Sequence, residues 1–172
     1  MSPDSSTLAH LSAQARIGAY QRVRAASVAI AAPLSAEDCQ VQSMPDASPV
    51  KWHLAHVTWF FEQFVLLPNL PGFAAFDPRY AYLFNSYYNA MGDRVARAER
   101  GHLSRPTVAE VLAYRAHVDA AMNQLLLQPL AADVAELIEL GLQHEQQHQE
   151  LLVTDIKYIL GTQPLAPVYD PR

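Results

Sequence analysis

The chain has 172 residues, 51% of them hydrophobic and 17% charged, with a formal net charge of −5. That length supports one ordinary domain with a full core, and the composition excludes a disordered chain. The acidic balance excludes a nucleic-acid-binding protein, which needs a basic face, but leaves room for a local basic pocket around a small acidic substrate.

Four segments carry helical periodicity, and no strand-like alternation competes with them. The first runs from about Ser5 to Ala31, alanine-rich and ending before Pro33. The second is expected to start at Ser48 as N-cap, with Pro49 at the favoured first position, and to stop before Pro68. The third opens on Thr107-Val-Ala-Glu110, a capping-box pattern, and ends before Pro129. The fourth runs from about Ala132 to Leu160, where Gly161 supplies a stop. The connection from Asn69 to Arg105 is far longer than an antiparallel turn needs, so it can cross the molecule and join two parallel helices. The expected architecture is therefore all-α: a four-helix bundle with a long crossover between helices 2 and 3. A short helix is expected in the crossover around "YAYLFNSYY".

The single cysteine, Cys39, excludes an intrachain disulfide and reads as a small, partly buried loop residue in a reducing compartment. The N-terminus carries neither a basic nor an apolar leader region, and no stretch is long and apolar enough to span a bilayer. The expected location is cytoplasmic.

Chemistry concentrates in "GLQHEQQHQELL", residues 141 to 152. On a helical wheel Val134, Leu137, Ile138, Gly141, Leu151, Leu152, Ile156 and Ile159 form one apolar stripe. His144, Glu145, His148 and Asp155 fall within it. Polar groups on a core-facing stripe need partners, and one cation can serve both imidazoles at once. At i and i+4 the two side chains rise one above the other and can converge on a metal. The competing explanation is a pair of core histidines satisfied by carboxylates such as Glu145.

A third ligand is available in "SPVKWHLAHVTWFFEQF". The wheel leans towards His53, aligned with Val50, Leu54, Val57, Phe61 and Phe64, over His56 on the flank. That helix is apolar nearly all round, so periodicity alone does not decide between them. The letters His-Glu-Gln-Gln-His also spell the zinc-protease pattern H-E-x-x-H. That reading fails on context: no Glu follows Glu150, no His follows His148, and Glu145 sits within the apolar stripe.

Four stretches, "SPVKWHLAHVTWFFEQFVL", "YLFNSYYNAMG", "RGHLSRPTVAEVLAYRAHVD" and "HEQQHQELLVTDIKY", occur in order from about Ala15 to Tyr169. Together they resemble the N-terminal DinB-like domain of EgtB-type sulfoxide synthases of ergothioneine biosynthesis. The resemblance implies a DinB-like four-helix bundle with three metal-ligating histidines, here His56, His144 and His148, choosing His56 over the wheel's His53. It implies Fe(2+) as the cofactor, with Ni(2+) or Zn(2+) as other occupants of an imidazole site. The implied reaction is O₂-dependent joining of a thiol (cysteine or γ-glutamylcysteine) to the imidazole of Nα-trimethylhistidine. Gln147 matches a position that helps hold this histidine betaine, and Arg94, with Arg97 after it, stands where thiol-binding arginines are placed. Full-length members continue into a sulfatase-modifying-factor-like domain, so residues 1–172 are expected to form a single bundle domain lacking that C-terminal partner. Rival expectations are a stand-alone DinB-family metal-dependent thiol transferase or hydrolase, and a non-catalytic metal-binding bundle that works with another chain. A homodimer through a helix face is compatible with a bundle of this size.

Overall fold

The computed structural model describes residues 7–86 and 93–170. Among them the structure is all helical: α1 (Ala13–Ala31), α2 (Val50–Phe60), α3 (Leu67–Asn69), α4 (Tyr80–Leu83), α5 (Val108–Leu126) and α6 (Ala132–Gly161), with short 3₁₀ turns between. Helix α1 packs against α5 and α6, and α2 packs against both of those as well. No helix of the described residues is long and apolar enough to cross a membrane.

The expected first helix is divided. A 3₁₀ turn covers Thr7–His10, and α1 begins after Ser12, whose side chain accepts from the Ala15 amide. The expected start at Ser5 lies outside the described residues, as do Tyr87 and Tyr88 of the crossover motif. The short helix expected around "YAYLFNSYY" is α4. Helix α5 carries both halves of the capping box: the Glu110 amide donates to Thr107 Oγ1, and the Thr107 amide donates to Glu110 Oε2.

Two expectations for the second helix are corrected. Pro49, not Ser48, is the N-cap residue, and the Ser48 hydroxyl accepts from Arg100 instead. The helix also does not stop before Pro68. It widens into a π-helical turn over Phe61–Leu66, where the Leu67 amide reaches back to the Glu62 carbonyl, and then enters α3 with Pro68 in its first turn. Proline lacks the amide that an interior helix position would use, but the first turn of a new helix does not require it.

The core is built on large rings and aliphatics, with Trp59, Tyr20, Tyr114, Phe60, Phe61 and Leu54 fully buried. Burying each such side chain contributes about 1.5–3 kcal/mol. Gly141 sits where α6 crosses the end of α2. A Cβ there would lie 2.7 Å from Phe61 Cε1 and 2.9 Å from Phe60 Cε1. The missing side chain allows this close approach, one turn before His144.

A charged network runs through the middle of the helices. Helix α1 buries Arg16, Tyr20, Arg24, Ser27 and Ala31 at spacings of three and four. From this face Arg24 Nη1 donates to Glu145 Oε2 at 2.8 Å and Arg24 Nε to Asp119 at 2.7 Å. Arg115 of α5 donates to Glu145 Oε1 at 3.0 Å, to Thr58 Oγ1 and to the Leu54 carbonyl. Ser27 donates to Glu145 Oε1 at 2.7 Å. Burial alone would raise the Glu145 carboxyl, but Arg24, Arg115 and these hydrogen bonds hold it down at about 2.

Candidate metal centre

His144 and His148 stand one turn apart on α6, and α2 presents His56 opposite them. One ligand nitrogen from each of the three lies within 4.8 Å of the others. That is close enough for the three to draw in around one cation at bonds of about 2.0–2.1 Å.

The α2 sequence builds a mount for His56. Trp52 and Trp59 fall four residues before and three after it, on the same face of the helix. The imidazole stacks on both, with ring centroids 4.6 Å from Trp52 and 5.6 Å from Trp59. Its Nδ1 lies 2.6 Å from the Phe84 carbonyl, which can only accept. Nδ1 therefore carries the proton, and the Nε2 lone pair is left for a ligand bond.

All three imidazoles are held neutral. Burial pushes His56 well below its usual value, with His144 adding to the effect. Burial lowers His144 to about 4 against a small opposing pull from Glu145. Burial and the neighbouring His56, His53 and His144 push His148 down strongly. Metal binding requires neutral imidazoles, so none of the three has a second proton to lose near neutral pH. His144 Nδ1 is buried with no hydrogen-bond partner among the described residues. A buried imidazole nitrogen without a partner is costly, and this ring lies 5.0 Å from His56 and 4.6 Å from His148 between centroids, where a cation could be shared. The donor set and its geometry therefore fit a divalent metal.

His53, favoured by the wheel, is not in this cluster. It lies one turn earlier on α2, buried, with Nδ1 2.9 Å from His148 Nδ1 and Nε2 2.8 Å from Asp155 Oδ2. The alternative in which Glu145 satisfies the histidines is also corrected. Its carboxylate is taken up by Arg24 and Arg115 instead. The same pairing removes the protease reading, because a base tied to two guanidiniums at about 2 cannot take a proton from water near neutral pH.

A cavity of about 330 Å³ opens beside the three histidines, bordered by Ser86, Arg97, Arg100, Gln147 and Leu151. Gln147, exposed on α6, borders the same cavity. Arg94 is exposed, and Arg97 is the arginine of that pair that borders the cavity. Sequence reasoning missed Arg100. Its guanidinium lies 3.4 Å from the Trp52 ring centroid, donating to the Ser48 and Ser86 hydroxyls. No local pattern marks it, since Ser48, Trp52 and Ser86 come from two other segments of the chain. Cys39 is buried in a 3₁₀ turn, where burial pushes its thiol up to about 11, so it is inert. A mostly apolar groove elsewhere is lined by Val153, Ile156, Leu160 and Pro167, with Lys157 and Tyr169 also bordering it.

No curated protein matches the chain. The family model described as the DinB superfamily matches residues 19–152, a span holding both α2 and the histidine pair of α6. On this match over most of its length, and with an all-helical fold that gathers three histidines, the chain belongs to the DinB superfamily.

Proposed function

We propose that His56, His144 and His148 bind one divalent iron, in the DinB-like four-helix bundle of an EgtB-like sulfoxide synthase. In this reading α1, α2 with its extension, α5 and α6 are the four helices, and the segment from Asn69 to Arg105 is the crossover. The observation that carries the metal assignment is the convergence of three neutral imidazoles, two on α6 and one on α2, on one point. The finer reading is supported by the cavity beside them, where Arg97 and Arg100 offer positive charge and Gln147 an amide. Such a lining suits the carboxylates of an amino-acid-derived thiol and of Nα-trimethylhistidine.

Iron held there supplies the redox chemistry for joining a thiol to the acceptor imidazole with O₂. The chain's own part would be to supply His56, His144 and His148 as three neutral ligands beside the cavity. Positioning of the acceptor and delivery of a proton are assigned to a second, sulfatase-modifying-factor-like domain, in cis or on a partner chain. Positioning of this kind accounts for about 7–11 kcal/mol of a barrier. The superfamily-wide match equally favours a second reading, a stand-alone metal-dependent thiol transferase or hydrolase at the same site.

The test has two stages. Protein reconstituted with iron(II) without oxygen should carry about one metal per chain, and His56→Ala, His144→Ala and His148→Ala should each abolish it. A wild-type chain free of metal after reconstitution refutes the site. Loaded protein is then given O₂, Nα-trimethylhistidine and either thiol, with and without the second domain as a separate chain. The expected result is a coupled product by mass spectrometry when that domain is present, and little without it. No product in either case refutes the sulfoxide reading and favours the transferase.

A further inference from the structure

A buried chain of hydrogen bonds behind the candidate metal centre has a determined direction. At its far end Asp155 Oδ2 accepts from the Ser48 amide at 3.0 Å and contacts His53 Nε2 at 2.8 Å. An ionised carboxylate only accepts, so His53 Nε2 carries the proton. His53 is buried and holds a partner on each ring nitrogen. With its proton donated to Asp155 from Nε2, His53 has its lone pair on Nδ1, which is therefore the acceptor. The group 2.9 Å away is His148 Nδ1, which must therefore donate. With its proton on Nδ1, His148 has its lone pair on Nε2.

We infer that Asp155 and His53 are positioning residues: through two directed hydrogen bonds they fix the tautomer and ring orientation of His148, so that Nε2 is presented to the metal. His56 reaches the same tautomer by another route, through the Phe84 carbonyl. Two of the three candidate ligands are thus preset by the chain, one by backbone and one by a carboxylate–histidine relay. A carboxylate at the end of such a relay also increases the basicity of the ligand nitrogen. His144 has no such partner among the described residues and adapts to whatever the other two present.

This inference rests on the metal-site reading, and the test separates the two. Side-chain imidazole nitrogens of the full chain are observed by NMR without metal, and zinc affinity is measured by titration. Wild-type His148 is expected as a single Nδ1–H tautomer. His53→Leu removes the acceptor and should weaken zinc binding about 10–100-fold, the usual loss when such an outer partner of a ligand is removed. His53→Asn places an amide oxygen near the former Nδ1 position and should recover most of that loss. Asp155→Leu should release the direction of the relay, giving mixed His53 and His148 tautomers. A purely structural role predicts equal losses for His53→Leu and His53→Asn, and that result overturns the inference. An Nε2–H tautomer of wild-type His148, or full zinc affinity in folded His53→Leu, overturns it as well. Wild-type protein that shows the Nδ1–H tautomer yet binds no zinc leaves the relay standing and removes the metal site.

Discussion

Replacing Glu145 with Gln keeps the shape of the side chain and removes one charge from the centre of the helices. The carboxylate is fully buried and receives Arg24 at 2.8 Å, Arg115 at 3.0 Å and Ser27 at 2.7 Å. Its folded value of about 2, against 4.5 for the ordinary carboxyl, corresponds to about 3 kcal/mol of stabilisation near neutral pH. Breaking a buried ion pair by removing one partner costs about 3–5 kcal/mol, so the two routes agree. For a chain of this size that is a fall of about 6–20 °C in melting temperature. The sign follows from the lowered value. Stability from this carboxylate is fully present above about 4.5 and is lost as pH falls through about 2. The deficit of Glu145→Gln relative to wild type should therefore be constant near neutral pH and shrink towards zero between those values. Thermal unfolding across pH, followed by circular dichroism, reads both. Zinc titration of the folded variant should give wild-type affinity, because the carboxylate is taken up by Arg24 and Arg115. An unchanged melting temperature, or lost zinc affinity in a variant as stable as wild type, would show that Glu145 works at the metal instead.

Two further substitutions bracket this one. Gly141→Ala gains helix propensity but drives a methyl into the Phe60 and Phe61 rings, with contacts of 2.7–2.9 Å. Overpacking of this kind costs about 1–3 kcal/mol. Because it pushes α6 from α2, zinc affinity should fall along with the melting temperature. Thr107→Ala deletes one half of the capping box of α5, away from the cluster. It should cost about 1 kcal/mol, or about 2–4 °C, with zinc affinity unchanged. Equal effects of both changes on zinc would show that metal affinity here reports only global stability.

What could be read from sequence, and what could not, divides along the range of the interactions. The capping box at Thr107 and the pairing of His144 with His148 are contacts within one or two turns, and residue spacing determines them. The choice between His53 and His56 fails on the wheel for a physical reason. Every residue of Val50–Phe60 is buried, so there is no exposed face from which to measure the inward direction. The family resemblance pointed to His56, and the structure places that residue in the cluster. The expected stop at Pro68 assumed a regular helix, whereas the π-helical turn at Phe61–Leu66 lets the chain continue. Glu145 finds its partners across the fold, on α1 and α5, which no periodicity in α6 can show. One rule nevertheless connects these cases. Each polar residue on the inward stripe of α6 meets buried partners: His144 and His148 meet imidazoles, Glu145 two guanidiniums, and Asp155 an imidazole and an amide. A single stripe therefore carries two separate polar centres, one towards each edge of the stripe. The charged one ties α1 and α5 to α6, while the close approach of α2 at Gly141 brings His56 to the histidine pair.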